Sequence, residues 1–228
     1  MDRARSAPKA PRALVLLYGG TFDPVHNGHL AMAEAAWRAT GSDRLIFLPA
    51  GQSPFKAPDA TAGVHRLAML EAALASLPEA EIDPRELHRP GPSYTVDTLA
   101  AYREALGPEV ALLWLLGADA AMTLHQWQGA EALPSLTHFL VVARPGAEAF
   151  APVTPFWRAL RACPVSAFRG APAGGWAYLE AGAYPIASRA VRASLRAAPA
   201  GSGRPGHDLL PPAVSSYIQA HGLYGTFS

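Results

Sequence analysis

Cysteine is all but missing from this chain. Cys163 stands alone in 228 residues, which rules out an intramolecular disulfide and fits a reducing compartment. No cysteine or histidine lies near it at metal-ligand spacing, so it reads as a small buried hydrophobe. Charge is sparse too. Only 16% of residues are Asp, Glu, Lys or Arg, and the net charge is +1. The basic field that nucleic-acid binding requires is lacking. No apolar run approaches the ~20 residues that span a bilayer. The first twelve residues carry Arg3, Arg5, Lys9 and Arg12 without an apolar stretch, the pattern of a flexible basic tail rather than a secretory signal. Secretion, membrane insertion and nucleic-acid binding are thus set aside, and the expected location is the cytoplasm. Monomer and homo-oligomer are equally open.

What the chain does have is hydrophobic residues, 50% of the total, enough for one sizeable core over residues 13–228. Apolar runs alternate with amphipathic ones. Strands are expected at Ala13–Tyr18, Arg44–Pro49, Glu81–Leu87, Val110–Leu116 and Thr137–Ala143, with short ones at Trp176–Leu179 and Tyr184–Ile186. Helices are expected at Gly28–Ala39, Val64–Leu77, Thr95–Leu106, Ala118–Leu124, Ser188–Ala197 and Pro211–His221, with one more near Pro155–Ala162. Thr95 or Ser93 is the expected cap of the Thr95–Leu106 helix. Pro199–Gly206 reads as a flexible connector. This alternation argues for an α/β class fold, a Rossmann-like doubly wound parallel sheet with a small C-terminal helical appendage over residues 186–228.

The most informative stretch is residues 19–29, Gly-Gly-Thr-Phe-Asp-Pro-Val-His-Asn-Gly-His. It joins the first strand to the first helix, a phosphate-binding layout in which backbone N–H groups meet the positive end of a helix dipole. Gly19 and Gly20 allow a sharp turn and close backbone approach, and Pro24 stiffens it. His26 and His29, with Gly28 between them, are three residues apart and share one face. An imidazole offers an N–H donor, and charge when protonated, where a phosphoryl-transfer transition state gathers negative charge.

This stretch resembles the signature of the His-x-Gly-His nucleotidyltransferases. The resemblance implies in-line transfer of a nucleotidyl group from a nucleoside triphosphate to a phosphate acceptor. Mg²⁺ would arrive with the ATP, no metal would be held by protein side chains, and pyrophosphate would leave. Further motifs resemble the bacterial nicotinate-nucleotide adenylyltransferases in particular, with a similarity that runs from about Ala13 to Tyr224. Pro84-Arg-Glu-Leu-His-Arg89 and Gly91-Pro-Ser-Tyr-Thr95 match that branch, which makes Tyr94, Thr95 and Thr98 candidates for the nicotinate mononucleotide. Taken alone, Thr95 reads first as a helix cap. Trp127 resembles the platform that stacks on the pyridine ring, although a lone Trp is usually core. An aromatic residue is common in the family where Gln128 stands.

Leu116-Gly-Ala-Asp119 is similar to the family's Gly-x-Asp segment, placing Gly117 and Asp119 beside ATP with Gly19, Gly20, Thr21, Phe22 and Gly28; Asp119 reads equally as a helix cap. Lys56, in Ser53-Pro-Phe-Lys56, matches a lysine the family carries after Pro-Pro-His, and reads equally as a solvated surface lysine. Ile186-Ala-Ser-Arg-Ala-Val-Arg192 resembles the second phosphate motif, Ile-Ser-x-Thr-x-x-Arg. Ile186 and Arg192 match, Ala187 and Arg189 replace the two hydroxyls, and Ser188 remains at the helix start. The resemblance thus assigns catalytic roles to His26, His29, Lys56 and Arg192, with Ser188 on the triphosphate. The expected substrates are ATP and nicotinate mononucleotide. An adenylyltransferase for phosphopantetheine or FMN is the alternative enzyme, and a nucleotide-sensing module without turnover is the alternative outside enzymes.

Overall fold

The computed structural model describes residues 11–52, 61–143, 151–180, 186–197 and 208–225. The strands are β1 (Leu14–Gly20), β2 (Arg44–Pro49), β3 (Ala80–Ile82), β4 (Ala111–Gly117), β5 (His138–Ala143), β6 (Arg161–Ala162) and β7 (Gly175–Glu180). All pair in parallel, in the order β3-β2-β1-β4-β5-β7-β6. The helices are α1 (Asn27–Thr40), α2 (Gly63–Leu74), α3 (Arg85–His88), α4 (Thr95–Leu106), α5 (Ala118–Thr123), α6 (Leu133–Leu136), α7 (Pro155–Ala159), α8 (Ser188–Ala197) and α9 (Pro212–Ala220).

Side chains alternate across the strands and build a core on each face. Leu14, Leu16, Phe47 and Leu113 face one way, against Ala33 of α1, Met69 and Leu70 of α2, Val191 of α8 and Ile218 of α9. Val15, Leu17, Ile46 and Trp114 face the other, against Leu99 of α4, Ala121 of α5, Leu133 of α6 and Trp157 of α7. From β1 the chain steps outward to β2 and β3, then crosses to β4 on the far side. The strand order therefore reverses between β1 and β4, the point where such sheets bind ligands. Among the described residues no helix is long and apolar enough to cross a membrane.

The doubly wound parallel sheet matches expectation, but three local readings need correction. The strand expected through Leu87 stops at Ile82: Asp83 Oδ1 accepts the Arg85 N–H at 3.0 Å and turns the chain into α3. Neither Thr95 nor Ser93 caps α4. Tyr94 holds that place through its backbone, and Ser93 Oγ accepts instead from the Gly51 N–H at 3.0 Å. The helix near Pro155 ends at Ala159, because Leu160 turns extended and Arg161–Ala162 pairs with β7. The expected C-terminal helical segment is present as α8 and α9, and its Val191, Leu195, Val214 and Ile218 lie in the first core.

The strand expected at 184–186 falls largely outside the described residues, and Ile186 belongs to none. The 199–206 connector also lies outside them. Of the basic tail, Arg12 is described: it donates to Gly170 O at 2.9 Å and pairs with Glu109 at 3.2 Å. Cys163 is half-buried against the first core, and burial pushes its thiol up, away from thiolate character.

Candidate active site

The site starts with two residues that have no side chain. A Cβ on Gly19 would lie 2.4 Å from Trp114 Cζ2, and one on Gly20 would lie 2.9 Å from Phe22 Cζ. These close approaches let β1 end beneath the turn that follows. Phe22 folds back into the core, 1% exposed, and meets the rings of Tyr18 and His29 edge-on at 5.4 and 5.2 Å.

The turn's carbonyls are drawn away from the cleft. Thr21 O accepts from Arg66 at 2.8 Å, Asp23 O from Arg192, and Pro24 O from Ser188 Oγ at 3.1 Å. Arg66 is 3% exposed and also donates to Ala50 O, Gly51 O and Thr61 O. One guanidinium thus ties the turn after β1 to the segment after β2. Burial lowers its pKa, yet a guanidinium stays charged in any protein.

Helix α1 opens on a reciprocal cap made of two histidines. His26 is the N-cap, and its Nδ1 accepts from the His29 N–H at 3.3 Å. His29 Nδ1 accepts in return from the His26 N–H at 3.2 Å. This is the arrangement that Ser or Thr and Glu usually form. It also sets the tautomer, because a neutral ring whose Nδ1 accepts carries its proton on Nε2. The rings stack at 3.6 Å and 23°, so two Nε2–H donors lie side by side at a helix N-terminus. Another first-turn donor, the Asn27 N–H, is spent on Leu209 O at 3.0 Å.

His26 and His29 line a cleft of about 230 Å³ with Gly19, Gly20, Thr21, Phe22 and Gly28 on one side. Gly117, Asp119 and Trp127 line the other, and Tyr18, Met32, Ala143 and Ile186 are also in the wall. Asp119 sits in the first turn of α5, whose N-cap is Gly117. The cleft opens between the ends of β1 and β4, where the strand order reverses.

Other predicted residues stand away from its wall. Ser188 and Arg192 lie behind the turn on α8, with Arg189 exposed to solvent. Tyr94 and Thr95, at the start of α4, are half-buried beside the segment after β2: Ser93 N–H donates to Gln52 O at 2.9 Å. Thr98 is fully buried, and its hydroxyl donates to Glu86 Oε1 at 2.6 Å. Burial pushes the Glu86 carboxyl up. Lys56 lies outside the described residues.

Sequence reasoning missed Arg66, Glu86 and the side chain of Asp23. Arg66 had a visible signal: it occupies the same helical stripe as Met69, Leu70 and Ala73, where a cation needs acceptors. Among the described residues no three carboxylates, cysteines or histidines gather where one ion would reach them.

Residues 17–174 match the cytidylyltransferase-like family. A protein named "Probable nicotinate-nucleotide adenylyltransferase" from Laribacter hongkongensis is 42% identical over 217 residues, covering 94% of this chain and 96% of that one. A protein of the same name from Stenotrophomonas maltophilia is 45% identical over 222 residues, covering 93% and 97%. The fold is shared with the Plasmodium falciparum nicotinic acid mononucleotide adenylyltransferase solved with NaAD, at a TM-score of 0.70 and 17% identity over 95% of this chain and 99% of that one. The chain belongs to the cytidylyltransferase-like family and, within it, to the nicotinate-nucleotide adenylyltransferases.

Proposed function

We propose that this protein moves AMP from Mg·ATP to nicotinate mononucleotide, forming nicotinate adenine dinucleotide and pyrophosphate for NAD biosynthesis in the cytoplasm. A phosphate oxygen of the acceptor attacks the α-phosphorus in line. The new O–P bond forms as the bond to the β-phosphate oxygen breaks, and its electrons leave with pyrophosphate. No protein nucleophile is needed, so positioning and electrostatics do the work. The Nε2–H donors of His26 and His29 meet the charge that grows on the transferring and leaving phosphates. Lys56 adds cationic charge, Arg192 holds the turn from behind through Asp23, Asp119 and Gly117 take the nucleotide side, and Trp127 stacks on the pyridine.

The observation that carries this reading is the stacked pair of Nε2–H donors, held in one tautomer at a helix N-terminus inside the switch-point cleft. The test is pyrophosphate release from ATP and Mg²⁺ with nicotinate mononucleotide, nicotinamide mononucleotide, phosphopantetheine and FMN in separate reactions. Release fastest with nicotinate mononucleotide is the expected result. Faster release with phosphopantetheine or FMN keeps the chemistry and overturns the assignment of the acceptor. ATP binding without release in any reaction turns the reading to a nucleotide sensor.

A further inference from the structure

Two non-glycine residues among those described hold a left-handed backbone, Phe22 at φ +47° and Tyr224 at φ +58°. Such a conformation crowds the Cβ of any residue but glycine and persists only where its surroundings hold it. The two are far apart in sequence, yet they flank one carboxylate. Phe22 directly precedes Asp23, and the Tyr224 hydroxyl donates to Asp23 Oδ1 at 2.7 Å.

Asp23 is 3% exposed, and its Oδ2 lies 3.9 Å from the Arg192 guanidinium. That guanidinium also holds the Asp23 carbonyl, and Ser188 holds the next one, on Pro24. Thr61 adds a hydrogen bond to the phenol, which burial foremost and the carboxylate beside it keep protonated. Tyr224 is therefore a standing donor.

The turn has little slack. Phe22 and Val25 are 1% and 0% exposed, and His26, the next residue, begins the reciprocal cap. A rotation at Asp23 moves the N-cap, and with it the two stacked rings. Misplacing a reacting group by ~1 Å costs on the order of a hundredfold in rate.

We propose that Tyr224 is a positioning residue of this site: its hydroxyl, through the Asp23 carboxylate, sets the turn that aims His26 and His29. It does not line the cleft. The inference rests on reading that cleft as a nucleotidyl-transfer centre.

The test is Tyr224→Phe in the full chain, compared with Tyr217→Phe. Tyr217 contributes its hydroxyl to a contact with His65 Nδ1 at 3.0 Å, on the seam between α2 and α9. Three readouts are taken: kcat and KM with ATP and nicotinate mononucleotide, the urea midpoint, and the histidine side-chain ¹⁵N spectrum. The expected result for Tyr224→Phe is a kcat lowered about tenfold, KM for nicotinate mononucleotide within about twofold of the parent, and shifted His26 and His29 resonances. Tyr217→Phe should keep the parental kcat and those resonances.

A parental kcat and spectrum in Tyr224→Phe overturns the inference. So does an equal fall in kcat for both variants, which would mark general loosening of the C-terminal region. A parent chain that turns over no acceptor sinks the proposed function. In that case the spectra still decide this inference: unmoved His26 and His29 resonances overturn it, and moved ones uphold it. Asp23→Asn adds a further check. If the two residues act as one unit, its kcat loss and that of Tyr224→Phe should combine to less than their product.

Discussion

His26 both caps a helix and lines the cleft, and one substitution tests the two places separately. Asparagine caps a helix as well as any residue, and loss of a cap costs ~1 kcal/mol. His26→Asn should therefore leave the urea midpoint nearly unchanged while kcat falls about a hundredfold, the usual loss for one preorganised donor. Turnover near the parental rate would remove His26 from the chemistry. Gly51 makes a different case. A Cβ there would lie 2.2 Å from the Glu86 backbone oxygen, and backbone cannot swing aside as a flexible side chain can. Gly51→Ala should cost about 1–3 kcal/mol. The thermal midpoint would then fall by roughly 2–12 °C, which a melting curve would check. The spacing of the two histidines was plain in the sequence because it is local. Their mutual capping was not, since Ser, Thr and Glu are the residues that signal a capping box.

At the scale of elements, the join between β5 and β7 depends on a neutral histidine. His138, the first residue of β5, is 0% exposed. Its Nδ1 accepts from the Gly175 N–H at 2.9 Å, and its Nε2–H donates to Ala171 O at 2.8 Å. A second proton would place N–H against N–H. Burial foremost holds the ring's pKa below the ordinary 6.5. A depressed histidine adds stability that is complete above the unfolded value and lost as pH falls through the folded one. The stability of the parent relative to His138→Gln should therefore shrink between about pH 7.5 and 5.5. Urea titrations at three pH values would show it, and a constant difference would refute it.

Periodicity revealed β2 and α8 to the residue, because each is a long apolar or amphipathic run with clear ends. It failed at Asp83. One side chain bonding its own backbone there overrides a strand-like pattern, and no period encodes that.

For the molecule as a whole, the C-terminal helices test whether the chain divides. Val191, Leu195, Val214 and Ile218 are each at most 2% exposed. Burying an aliphatic side chain contributes about 1.5–3 kcal/mol, so four contribute on the order of 6–12, close to the whole stability of a typical protein. Deleting residues 186–228 should give an aggregated or unfolded product by circular dichroism and gel filtration. A folded, monodisperse product would show that the rest stands alone. The sequence pointed to α8 and α9 as helices but not to their place in the core. Amphipathicity tells that a helix has a buried face, not which strands lie beneath it.

The Asp23–Tyr224 hydrogen bond joins positions 201 residues apart, which has a consequence for how the protein is made. A ribosome adds roughly 5–20 residues per second, so β1 and its glycine turn exist for about 10–40 s before Tyr224 is synthesised. The Asn27 amide likewise waits for Leu209. The turn before α1 in a nascent chain therefore lacks its anchors through nearly all of translation. The complete site arises only once the last helices have docked, so partial products stalled on the ribosome should carry no transferase activity.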